Sequence, residues 1–177
     1  MTSHRSDLVV PVTPVDHARG ALHPRLTIVE YGDFECSVCR AAEPGVRMVL
    51  NRFAADVRLV YRHFPIESAH PHALLAAEAS EAAAAQGKFW EMHDQLMREA
   101  ARLDRASLLR YAGELELDTA LFQSSLDDEI YRQRVREQME GAVRSHLRAT
   151  PGFFVNGHVC DVSGGIHALS ERVSTLL

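Results

Sequence analysis

Residues 26–39 read LTIVEYGDFECSVC, and this stretch decides the fold. Leu26 to Tyr31 are apolar and β-branched, as a buried strand requires, and Gly32-Asp33 ends the run. From Arg40 the residues RAAEPGVRMVLNRF return with helical spacing, so the pattern is strand, tight turn, helix. Val57 to His63 (VRLVYRH) alternates again as a second strand, which closes a βαβ unit. The first cysteine of a C-x-x-C pair therefore falls at the first turn of a helix. Unpaired backbone N–H groups and the helix dipole stabilise a thiolate there.

Farther along, Ser68 is positioned to cap a helix that enters through Pro71 and runs to Gln86, with Gly87 as its left-handed terminator. Three more helices are expected from apolar stripes: Phe89, Met92, Leu96 and Ala100; Leu108, Leu109, Ala112 and Leu115; Tyr131, Val135, Met139 and Ala142. These stripes, with Phe89 and Trp90, read as core. After Thr150-Pro151-Gly152 comes a short strand, Phe153 to Val155. A type I′ signal at Asn156-Gly157, a returning strand over His158 to Asp161 and a final helix over Ile166 to Leu177 follow. The expected class is an α/β sheet carrying a helical insertion, divided as 1–25 (N-terminal extension), 26–66 with 148–177 (sheet domain) and 67–147 (insertion).

The chain of 177 residues is about one domain long, and 46% apolar content is enough for a core. A net charge of -5 without a Lys/Arg stripe disfavours nucleic acid and anionic membranes as partners. No run reaches the roughly 18 apolar residues of a membrane span. Near the N-terminus only Leu8 to Val10 are apolar before Pro11, too few for a signal-peptide core. A cytoplasmic protein is the expectation, and there three cysteines do not make a disulfide framework.

Chemistry concentrates at Cys36 and Cys39. Cys36 is the nucleophile candidate. Cys39, nearly one turn on and deeper in the helix, is placed to resolve a mixed disulfide. Asp33 and Glu35 are closer to Cys36, but their charge opposes a thiolate, so neither is assigned a catalytic part. Phe34 is a candidate for an apolar rim that meets extended chains. Cys160 on the returning strand reads as a small buried hydrophobe, with an additional redox thiol as the sharper option. His70 and His72 sit at a helix start and complete no metal shell, so structural or surface roles are expected for them and for the other histidines, ten in all.

The segments VEYGDFECSVC, HFP at His63 to Pro65, HPHA, KFWEMHD and TPGFFVNG resemble the DsbA-like branch of the thioredoxin superfamily from about Asp16 to the last helix. That resemblance implies a thioredoxin-like fold with a helical insertion. It implies a thiol-disulfide oxidoreductase with no cofactor, which exchanges disulfides with protein or peptide thiols and depends on a redox-recycling partner. It also implies a cis peptide bond before Pro151, a substrate edge at Thr150 and Pro151 beside Ser37 and Val38, and a proton-accepting role for Glu30 toward Cys39. The other reading of Glu30 is a solvent-facing edge residue.

Two departures from the family pattern stand out. Ser37 and Val38 replace the usual proline followed by an aromatic residue or His, which implies a less stabilised thiolate and a less oxidising couple. Gly152 replaces a more usual Thr and adds backbone freedom. Two alternatives stay open. One is a zinc-binding or structural thioredoxin-like module holding metal through Cys36, Cys39 and Cys160 with a histidine. The other is a thiol-dependent detoxifying enzyme acting on small molecules.

Overall fold

A computed structural model describes residues 7–99 and 101–177; Ala100 of the first stripe and the opening residues of the N-terminal extension lie outside them. The chain forms two compact units. One comprises the residues up to Gly32, with Ala41–Arg62 and Gly141–Leu177; the other comprises Asp33–Arg40 and His63–Glu140.

The first unit is built on a five-stranded sheet. Its strands are β1 (His17–Gly20), β2 (Leu26–Gly32), β3 (Val57–His63), β4 (Gly152–Val155) and β5 (His158–Cys160), in the order β1-β3-β2-β4-β5. Helix α1 (Ser37–Arg52) connects β2 to β3. The two central strands are buried along almost their whole length, which explains why their sequences run nearly continuously apolar. β4 pairs antiparallel with β2, setting Glu30 opposite Phe153, and β5 returns antiparallel to β4. The turn between them has positive φ at both Asn156 and Gly157, as a type I′ hairpin needs. Helix α7 (His167–Leu176) buries Leu169 and Val173.

Strand β1 departs from the expectation that residues 1–25 form an extension outside the sheet. His17–Gly20 pairs antiparallel with β3, although HARG carries no strand pattern. What fixes it is a tertiary contact. The buried Arg62 side chain grips Asp16 through Nε and Nη2 at 2.8 and 2.9 Å, and donates to the carbonyls of Val10 and Pro11, both at 2.8 Å. A guanidinium this well satisfied can be buried without a large penalty, and it ties the N-terminal segment to the sheet.

The second unit holds α2 (Ala73–Ala84), α3 (Phe89–Arg98), α4 (Arg105–Glu114), α5 (Thr119–Asp127) and most of α6 (Arg132–Arg144), together with the turn before α1. Phe89, Met92 and Leu96 are buried on α3, Leu108 and Ala112 on α4, and Val135 and Ala142 on α6. Leu109, Leu115, Tyr131 and Met139 are only half-buried. Helix α2 ends where the sequence indicates: Gly87 has φ +77°, and Lys88 N–H reaches the carbonyl of Ala83 at 2.9 Å. Its start is different. Ser68 lies in a turn, and the helix opens only at Ala73. The N–H of His72, at the helix entrance, is taken by the Glu35 carboxylate at 2.7 Å. A distant acid thus does the work expected of the local serine.

Candidate active site

The turn Asp33–Cys36 sets the first sulfur. Cys36 N–H donates to the Asp33 carbonyl at 3.2 Å, and Glu35 N–H donates to Asp33 Oδ1 at 2.8 Å. The Cys36 carbonyl then accepts the Arg40 N–H at 3.1 Å, the first bond of the α1 ladder. Cys36 is therefore the N-cap residue, one step ahead of the expected first turn, where the helix presents unbonded N–H groups and its positive end. Cys39 is three residues farther on, about one helical turn. All three cysteines are thiols. Cys36 keeps 7% of its surface exposed and Cys39 none, so any reagent from outside meets the first sulfur. Ser37 and Val38 are exposed between them, Val38 by 59%.

Each acid before the cysteine carries a histidine. The Asp33 carboxylate is buried, and its Oδ2 accepts the Ile66 N–H at 2.8 Å and the His70 Nδ1 at 2.7 Å. Glu35 binds His72 through the backbone N–H and, at 3.2 Å, through Nδ1. The His70 imidazole is held more basic than usual. Burial lowers its pKa, but the hydrogen bond and charge of Asp33 outweigh burial, with smaller contributions from Cys36 and Glu35. The sequence gives these histidines no metal shell and does not announce their acidic partners, each 37 residues away. The only local hint was the H-P-H spacing ahead of α2.

Phe34 does not form a rim. It is 1% exposed, and its ring packs against those of His63 and His93 at centroid distances of 5.9 and 5.5 Å. The turn that brings the Asp33 carboxylate inward buries its neighbour too. His63 in turn donates from Nε2 to Glu81 Oε1 at 2.9 Å, and Arg134 pairs with the other oxygen at 2.8 Å. Phe89 and Trp90 stack edge to face and join this aromatic cluster around His93.

In the sheet unit, Glu30 is 1% exposed, so the solvent-facing reading of this residue is corrected. Desolvation raises its pKa to about 8, the charge of Glu43 adds to the rise, and Arg19 opposes it. Its Oε2 is buried without a hydrogen-bond partner. Thr150–Pro151 is a cis peptide bond. Gly152 is not there for left-handed freedom. A Cβ at this position would lie 2.6 Å from both methyls of Leu147, so the glycine makes room for that side chain. Cys160 is buried and its thiol is pushed up by burial, in keeping with a small hydrophobe. Among the described residues, no cysteine belongs to a cluster of three or more side chains that could hold a metal ion. No described helix is long and apolar enough to cross a membrane.

Comparison with known proteins agrees with this geometry. The family described as thioredoxin (Thioredoxin_4) matches residues 12–174. A thioredoxin-like oxidoreductase from Silicibacter pomeroyi superposes with a TM-score of 0.81 at 28% identity, over 92% of each chain. BdbD from Bacillus subtilis, at 20% identity, shares the fold with a TM-score of 0.79 over 91% of this chain and 92% of its own. So does the Wolbachia pipientis protein alpha-DsbA1, at 18% identity and 0.79, over 97% and 96% of the two chains. Among curated sequences, a Salinispora arenicola protein named Na(+)/H(+) antiporter NhaA 1 is 48% identical over 170 residues, 96% of this chain. The chain spans about a quarter of that relative's length (26%). The chain belongs to the thioredoxin family and has the fold of its DsbA-like thiol-disulfide oxidoreductases.

Proposed function

We propose that the chain exchanges disulfides with protein or peptide substrates through Cys36 and Cys39. The observation that carries this reading is a thiol at the N-cap of α1 with a second, sealed thiol one turn deeper. The Cys36 thiolate attacks one sulfur of a substrate disulfide, and the other substrate sulfur leaves as a thiolate. Cys39 then loses its proton and attacks the Cys36 sulfur. The second substrate thiolate departs, and the pair is left as a disulfide. The substrate gains two electrons, the pair loses two, and the reverse sequence oxidises a dithiol.

Following the family resemblance, Glu30 is assigned the proton of Cys39. A carboxyl that burial holds near 8 takes up a proton around neutral pH far more readily than an ordinary carboxylate, as a general base for a thiol requires. By the same resemblance, Thr150 and Pro151 are assigned to substrate binding, as are Ser37 and Val38, with a recycling partner restoring the pair. Exposure of Val38 supports its part in this, and the half-buried position of Pro151 leaves that residue reachable. The zinc-module alternative is separated by metal analysis of protein purified without chelator: stoichiometric zinc that blocks alkylation of both cysteines would favour it.

The test is reduction of insulin disulfides. Cys36→Ser should abolish the activity, and retained turnover would remove the mechanism. Cys39→Ser should stall the mixed disulfide and so hold the physiological partner for identification. The 48% identity to a protein named a Na(+)/H(+) antiporter favours a second reading of that partner, in which the domain acts on or alongside a transporter of this kind.

A further inference from the structure

We propose that His70, held by Asp33, is the fixed positive charge that keeps Cys36 ionised, acting as a positioning residue supplied from the segment ahead of α2. The inference rests on the reading of Cys36 as the nucleophile. Between the two cysteines stand only Ser37 and Val38, so the pair brings no cation of its own.

One residue, Asp33, organises both partners. Its backbone carbonyl accepts the Cys36 N–H at 3.2 Å, and its buried Oδ2 holds His70 Nδ1 at 2.7 Å. With Oδ1 on Glu35 N–H and Oδ2 also on Ile66 N–H, the carboxylate is fixed by backbone donors on both oxygens and cannot swing away. An acid that would otherwise oppose a thiolate thereby orients an imidazole and fixes its proton on Nδ1. The titratable groups acting on His70 are Asp33, Cys36 and Glu35, and Glu35 is itself held to His72. The interaction between His70 and Cys36 is mutual: a thiolate favours the imidazolium as much as the imidazolium favours the thiolate. Their charges cancel without any change in the number of electrons, and the Cys36 proton goes to solvent.

Two measurements on the full chain test this. In the first, the rate of Cys36 alkylation by iodoacetamide is followed against pH, with the modified peptide read by mass spectrometry. His70→Gln should move the midpoint upward by about one pH unit, the low end of the shifts an opposite charge produces. His70→Lys, which keeps the charge, should restore the lower midpoint. In the second, the His70 imidazole is titrated by NMR in the reduced protein and in Cys36→Ser. Its midpoint should fall when the thiolate is removed, a readout independent of any change at residue 70.

Unchanged midpoints in both measurements overturn the role of His70 while leaving the exchange mechanism intact. Equal displacement by Gln and Lys, with no NMR shift, marks a structural role and overturns it as well. Cys36 that resists alkylation up to pH 9, or exchange that survives Cys36→Ser, defeats the underlying reading instead.

Discussion

A carboxyl titrating near 8 in the middle of a sheet makes the stability of this protein depend on pH in a direction opposite to that of an ordinary paired acid. The ordinary value is 4.5, so between that pH and about 8 an unfolded chain has released the Glu30 proton while the folded chain keeps it. The folded state binds more protons across this window, and its stability falls as pH rises. Glu30→Gln imitates the neutral form. It should remove the decline and stabilise the protein at pH 7 by on the order of 2–3 kcal/mol in urea denaturation, while slowing release of the mixed disulfide. Equal urea midpoints for the two proteins at pH 5 and pH 8 would contradict this. The acid itself is visible in the sequence, six residues before Cys36, but whether it turns inward or toward solvent is left open there. Phe153 lies opposite it in β4, a partner 123 positions later, and a strand's own sequence does not announce which neighbour it will receive.

Among the elements, α1 shows how a close contact overrides propensity. It runs through Pro44-Gly45, a dipeptide that would end many helices, and Pro44 leaves the Arg40 carbonyl without its helical donor. Replacing Gly45 by Ala gains about 1 kcal/mol of helix propensity. The new Cβ, however, would sit 2.6 and 2.7 Å from Cγ2 and Cγ1 of Ile166 and 3.2 Å from its Cβ, so the whole side chain must move. Overpacking of this kind costs roughly 1–3 kcal/mol, and Gly45→Ala is expected to lower the thermal midpoint rather than raise it. An unchanged or higher midpoint would show that Ile166 yields freely.

Elements whose signals are local were legible. The Asn156-Gly157 hairpin and the Gly87 terminator each follow from a backbone conformation that few other residues adopt. Helix α5 was missed, although Asp118 accepts the Leu121 N–H at 2.9 Å as a regular N-cap. Its nine residues are too few to display a clear stripe. β1 was missed because a four-residue strand is specified by its pairing with β3 and the Arg62–Asp16 clasp, not by its own composition.

For the whole molecule, the sequence carried the α/β class and the strand-turn-helix presentation of the cysteine pair, since these arise from neighbours along the chain. It could not carry what folding brings together from afar: the histidine held by Asp33, the burial of Phe34, or the carboxylate of Glu35 at the entrance of α2. With Val38 where a cation could stand, the couple is expected to be less oxidising than one with histidine between the thiols, and each 30 mV of that difference is worth about 1.4 kcal/mol. The central claim is that Cys36 and Cys39 exchange two electrons as a unit, and it is tested most directly by equilibrating the protein in glutathione buffers of graded potential and reading each thiol by alkylation and mass spectrometry. The account predicts one reversible two-electron transition in which Cys36 and Cys39 lose their hydrogens together and Cys160 remains a thiol. A pair that stays reduced in every buffer, or a disulfide that forms instead to Cys160, would contradict it.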